Sequence, residues 1–281
     1  MSRPSTAREV PRPAAGFSIV ELMVAMTLGL GLGVVLSVAS IHAGSGDSYG
    51  QQDQVGRLQE NVRITTNLVA RVVRQAGYRQ LPTGRLEGDQ IFDPAGGPMF
   101  GTEGDGSAPG TQDVLTVRFQ GSGGTGLAPG TDDTMVDCLG NSVGTDIDGA
   151  TGTARIAQST FQVRTGADGR PWLMCSLDGG TTFMPLVPDV EAMEVLYGVA
   201  PPISQADSLP NVSRYVPATQ VGDFRQVLAV QLHLLFRSEI ELAPLTDTAT
   251  YDLGGRSYGP FNDRRIRQAV RTTVTLRNRA L

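Results

Sequence analysis

Between Phe17 and Ile41 the chain runs for 25 residues with one ionisable side chain, Glu21. As a helix that run reaches about 37 Å at ~1.5 Å per residue, more than the ~30 Å hydrocarbon core of a bilayer. It is longer than the ~7–15-residue apolar core of a removable secretory signal. The small residue nearest its start, Gly16, stands before the run, whereas a secretory signal places its cleavage site after it. The 16 residues ahead of it, MSRPSTAREVPRPAAG, carry three Arg against one Glu, with three Pro. They read as a positive, non-helical lead. Positive flanks stay cytoplasmic, so the sequence predicts one membrane span, with the body after residue 45 outside the cytoplasm.

Glu21 is the anomaly in that span. A carboxylate costs ~2.5–3.5 kcal/mol at a bilayer centre and less near the interface, so it needs a partner. Cleavage after Gly16 would give Phe17 a free α-amino group. Residues 17 and 21 lie one helical turn apart, which puts ammonium and carboxylate on one face. An opposite charge within ~4–6 Å favours the ionised carboxylate. The amine of a neighbouring copy would serve equally, and Glu21 would then be an assembly contact.

The string GFSIVELMVAM, Gly16 to Met26, closely resembles the class III signal of type IV prepilins and type II secretion pseudopilins. In that family a peptidase cuts after the Gly, the new Phe is N-methylated, and the Glu docks the subunit into the filament. The resemblance implies cleavage between Gly16 and Phe17, methylation of Phe17, and filament docking by Glu21. Gly29 and Gly33 have the small-xxx-small spacing of closely packed helices. Close packing, local melting in a filament, and a merely permissive apolar helix all fit those glycines.

Residues 43–50, AGSGDSYG, are expected to interrupt or loosen the helix. Helical periodicity then resumes. Val55, Leu58, Val62, Thr65, Val69, Val72 and Ala76 form a one-sided stripe suited to packing on a sheet, and Gly77 is a plausible stop. The strings RLQENVRI and ARVVRQAGYR, with the terminal RRIRQAVRTTVTLRNRAL, resemble the PilW family of minor pilins. Residues 81–112 read as loop. Strand signals follow over 113–120, in two runs flanking Gly166-Ala167-Asp168-Gly169, on either side of Asp178-Gly179-Gly180, and over 190–199, 226–237 and 269–277. Period-two alternation with one polar face means a largely antiparallel sheet. The fold class is α+β: by resemblance a pilin-like fold, with a long N-terminal helix packed on an antiparallel head with long loops. The divisions are a leader at 1–16, a transmembrane and filament-core helix at 17–41, its amphipathic continuation at 42–80, and a β-rich periplasmic head at 81–281.

Cys138 and Cys175 are expected to pair, since an exported body meets oxidising conditions and the loop between them is Gly-rich. Pilin-like heads also often carry such a bridge. Two free thiols are the alternative. No cofactor or metal site is expected. Two His cannot supply a three-histidine catalytic zinc site. The run Gly121-Ser122-Gly123-Gly124-Thr125-Gly126 matches GxGxxG, but LAPGTDDT after it cannot open the helix a dinucleotide needs. Gly140-Asn141-Ser142-Val143-Gly144 matches GxSxG without a following helix. Its one available base, His233, falls on the polar face of a strand. Asp132, Asp133, Asp137, Asp146 and Asp148 form an acidic loop region lacking the strict calcium-loop pattern. Six Arg between residues 264 and 279 read as the solvated face of a last strand. The net charge of −5, or −7 without the leader, disfavours direct nucleic-acid binding.

The resemblance implies a non-enzymatic minor pilin in the inner membrane of a Gram-negative bacterium. It would prime or cap a type IV pilus and support adhesion, twitching motility and DNA uptake. Its implied partners are other minor pilins, the major pilin, the prepilin peptidase, the inner-membrane assembly platform and a tip adhesin. A minor pseudopilin of type II secretion, GspJ-like in its head, is the alternative. A signal-anchored periplasmic enzyme would need a convergent polar pocket.

Overall fold

The structure is a computed structural model that describes residues 18–78, 97–123, 130–144, 156–200, 211–241 and 245–279, with the side chains of 38–49 left aside. It divides into two compact units, one ending at Gly50 and one beginning at Gln51.

The first unit is the apolar part of α1 (Ile19–Gln75). Ile19–Ser37 is long and apolar enough to cross a membrane, with mean hydropathy 2.2 and none of it buried within the chain. Its hydroxyls are satisfied along the helix. Thr27 Oγ1 donates to the Met23 and Val24 carbonyls, and Ser37 Oγ donates to the Gly33 carbonyl. A Cβ on Gly29, Gly31 or Gly33 would meet nothing within 4 Å, so no contact inside the chain requires those glycines. The expected break at 43–50 does not occur: α1 is helical through AGSGDSYG. A Gly costs ~1 kcal/mol in a helix, and extending an existing helix avoids a second costly nucleation.

The second unit contains the rest of α1 and the head. The head strands are β1 (Met99–Thr102), β2 (Val114–Gln120), β3 (Ile156–Thr165), β4 (Pro171–Ser176), β5 (Met184–Pro188), β6 (Val190–Val199), β7 (Arg214–Val216), β8 (Val227–Arg237), β9 (Tyr251–Leu253), β10 (Arg256–Tyr258) and β11 (Arg267–Thr275). They form a five-stranded sheet β1-β2-β3-β4-β5, a four-stranded sheet β11-β8-β6-β7 and a β9–β10 ribbon. Every strand pairing is antiparallel. The α+β, antiparallel reading of the sequence holds, although it foresaw one sheet where there are two and a ribbon. β1 lies within a stretch that reads as loop.

One core joins α1 to both sheets. Leu58, Val69, Val72, Val73 and Ala76 of the helix are buried with Leu115, Val117 and Phe119 of β2 and Val230, Leu232, Leu234 and Phe236 of β8. Val55, at the start of the expected stripe, is exposed; Gln54 is buried instead, and its Oε1 accepts from the Glu239 N–H. The lower helix is tied down by polar side chains as well. Gln75 takes the Val136 N–H and gives back to the Val136 carbonyl. Asn278 Nδ2 donates to the Gln75 and Ala76 carbonyls at the helix end, where acceptors have no intrahelical partner.

β8 is buried on both faces, since Ala229 and Leu235 are buried as well as the even-numbered residues. The β9–β10 ribbon covers the second face, where Ala192, Leu235, Leu253 and Tyr258 form a small second core. This corrects the reading of His233. It is 8% exposed rather than on a polar outer face, its Nε2 lies 2.9 Å from Gln231 Oε1, and burial holds its pKa below the usual histidine value.

Candidate functional site

Of the residues expected to serve processing and docking, Gly16 and Phe17 lie outside the described residues, and Glu21 lies in the first turn of α1. There it closes the helix N-terminus. Glu21 Oε2 accepts from the Ser18 N–H at 3.4 Å, and Ser18 Oγ accepts from the Val20 N–H at 3.3 Å. Ser18 is thus the N-cap of α1 and Glu21 its reciprocal partner three residues on. The signal was present as S-I-V-E at the head of an apolar run. The carboxylate also sits at the positive end of the helix dipole. Glu21 is the acidic residue of that first turn.

In the head, Cys138 and Cys175 are joined by a disulfide, with Cα atoms 6.3 Å apart. Cys175 lies in β4 and both cysteines are buried. The bridge fastens the 130–144 loop to the five-stranded sheet, helped by the Cys138 N–H donating to Ser159 Oγ. Of the acidic residues of this region, Asp132 takes bonds from Ser122 and Thr134. Asp137 takes them from the Leu139 and Asn141 amides and the Asn141 side chain. These carboxylates are spent on turns. Asp146 and Asp148 lie outside the described residues. Ser142 of the GxSxG string sits in an isolated bridge with Val136, and residues 145–155, which follow it, lie outside the described residues.

Two buried polar centres were not foreseen. In the first, Tyr258 of β10 donates to Glu194 Oε1 of β6, and Arg256 Nε lies 3.5 Å from Glu194 Oε2. Asp113 stands alongside, accepting from the Gly104 and Val195 amides. Burial lifts the Glu194 carboxyl to about 7, against the opposing hydrogen bond from Tyr258. In the second, the Arg267 side chain is 1% exposed and is held by Glu191, Asp247 and Asp263, with its guanidinium 3.8 Å over the Phe261 ring. Burial disfavours its charge, but the bonds to Asp263 and Glu191 outweigh that and raise its pKa. Arg267 therefore departs from the reading of the C-terminal arginines as one solvated face. Sequence alone gives no signal for either centre, because the partners come from parts of the chain up to 82 positions apart, as in the bond from the Val195 N–H to Asp113.

An open cleft of about 580 Å³ lies against Trp172, lined also by Arg164, Asp168, Met174 and Phe183. Its acid is already engaged by the Trp172 indole and the Arg170 amide, and no Ser, Cys or His among the described residues lines it.

Residues 160–278 match the family model described as Type IV Pilus-assembly protein W, PilW. The match runs from β3 to β11, less than half of the chain. It takes in the middle of the head, where the resemblance read from the sequence is weakest, and stops short of the N-terminal helix. Those residues of the head are thus similar to PilW, a type IV pilus assembly family. A solved type IV-like pilin from Thermus thermophilus aligns with 80% of this chain and 98% of its own, at 18% identity and a TM-score of 0.42. No curated protein matches the sequence.

Proposed function

We propose that this chain is a minor pilin that primes or caps a type IV pilus, and that its role is structural rather than enzymatic. The observation that carries the reading is the PilW match over residues 160–278, standing in one chain behind GFSIVE and a helix long enough to span a bilayer. In this reading the helix stores the subunit in the inner membrane with the head in the periplasm. A prepilin peptidase cuts between Gly16 and Phe17, and Phe17 is methylated. The new amine, from this chain or a neighbour, neutralises Glu21 once both have left polar surroundings. Water screens the pair little there, so the attraction favours helix packing in the filament over storage as a monomer. Other pilins and the assembly platform are the partners, and adhesion, twitching motility and DNA uptake are the processes served.

The test is N-terminal sequencing of the exported protein with mass analysis of its first residue. A chain beginning at N-methylated Phe17, and an uncut precursor when Gly16 is replaced by a bulky residue, are the expected results. A mature chain that keeps its first sixteen residues overturns the reading.

A further inference from the structure

A sheet edge carries backbone groups free to pair with another chain, and proteins blunt it with short strands, prolines or bulges. Three edges of the two large sheets are blunted in these ways. β1 has four residues and β7 three, while β5 carries Pro185 and Pro188 and a register shift against β4. β11 is different. It runs nine residues without Pro or Gly, in unbroken register with β8 from Arg267 opposite Arg237 to Thr275 opposite Ala229.

The direction of its free groups follows from the bonds at its two ends. The Ser238 N–H donates to the Ile266 carbonyl, and the Leu276 N–H donates to the Leu228 carbonyl. Even-numbered residues therefore turn their backbone groups towards β8. Backbone direction alternates along an antiparallel ladder, so Ala269, Arg271, Thr273 and Thr275 turn theirs outward. No strand among the described residues pairs with that side, and all four residues are exposed.

The side chains state what would fit. On the inner face, Ile266 and Val270 are half-buried against the main core and remain open along the edge. On the outer face stands Arg271, which makes no ion pair among the described residues, and exposed Arg277 follows the strand. These unpaired cations sit in a chain of net charge −5. A second copy laid antiparallel about Arg271 would oppose Arg to Arg, a destabilising pair. A strand with apolar residues on one face and an acid opposite Arg271 on the other would complete both faces.

We propose that β11 is an assembly edge, extended by an alternating apolar–acidic strand of another pilus subunit. The identity of that partner rests on the function proposed above. The test uses full-length protein in detergent, alone and co-purified with the pilins of its own assembly system. In the complex, amide exchange at Ala269, Arg271, Thr273 and Thr275 should slow at least tenfold. Ala269→Pro removes an outward N–H and no ladder bond, so the free protein should fold while co-purification drops at least tenfold. Arg271→Glu should weaken binding in the same way and make it less salt-sensitive. Bound partners with unchanged exchange at these four amides, or both variants binding as wild type, overturns the edge and leaves the minor-pilin reading standing. Failure of the unaltered protein to bind any pilin overturns both.

Discussion

The hydrogen bond from Tyr258 to Glu194 ties the β9–β10 ribbon to the centre of the four-stranded sheet. Both residues are at least nine-tenths buried, so this bond joins two elements through a carboxyl that water hardly reaches. Desolvation favours its protonated form.

That arrangement makes the head pH-sensitive in a stated direction. The Glu194 pKa is raised by folding to about 7. Its contribution is therefore fully present below the unfolded carboxyl value and is lost as pH rises through 7. Glu194→Gln keeps an acceptor for Tyr258 and removes the charge. The variant should gain on wild type by roughly 2–3 kcal/mol between pH 4.5 and pH 8, read from denaturant unfolding at the two pH values. Parallel stability curves would show that Glu194 does not titrate across this range.

Arg267 gives the opposite case, a buried charge fully surrounded by partners. Arg267→Ala leaves Glu191, Asp247 and Asp263 facing one another without their cation. Removing one side of a buried pair typically costs about 3–5 kcal/mol, and thermal unfolding should register a loss of that order. Arg267→Lys should lose less, because the charge stays while the fork geometry and the stacking on Phe261 go. Equal stability of both variants and the wild type would show that the cage is not holding β11 to its neighbours.

The contrast between these centres and the strands shows what the sequence discloses. Leu115, Val117 and Phe119 announce their buried face by period two, and the turns at Gly169 and Asp178-Gly179 announce their hairpins, because those signals are local. The S-I-V-E cap is a local signal too, a serine followed three residues on by a glutamate at the head of an apolar run. The second buried face of β8 was not legible. His233 and Gln231 look like an outer face until the ribbon over them is placed, 20 residues on. Arg267 looks like one more surface arginine for the same reason. Its acids come from β6 and from the loops around Asp247 and Asp263. Long-range topology decides such partners, and no local pattern encodes it.

The disulfide closes a 37-residue separation. On the chain-entropy model that constraint is worth roughly 4 kcal/mol. Replacing Cys138 and Cys175 together by Ala should lower unfolding stability by that order, and reducing the wild type under denaturant should do the same. Peptide mapping without reductant should recover the two cysteines on one linked fragment. Two alkylatable thiols in exported protein would remove the bridge from the account.

Glu21 caps the helix in the structure and answers an amine in the function proposed above, and one substitution separates the two. As the partner of Ser18 in the helix cap it needs only an acceptor oxygen, which Gln supplies. As the answer to an amine it needs a charge, which Gln lacks. If capping alone matters, Glu21→Gln should enter filaments like the wild type, and only Glu21→Ala should fail. If neutralisation drives docking, both variants should be cleaved after Gly16 yet fall at least tenfold in sheared pili relative to the membrane pool. The expected outcome is the second, because a cap exchanged for water costs only ~1 kcal/mol, whereas an unpaired amine carried into an apolar helix bundle costs several. Quantifying processed subunit in the membrane and pilus fractions of the two strains decides between them.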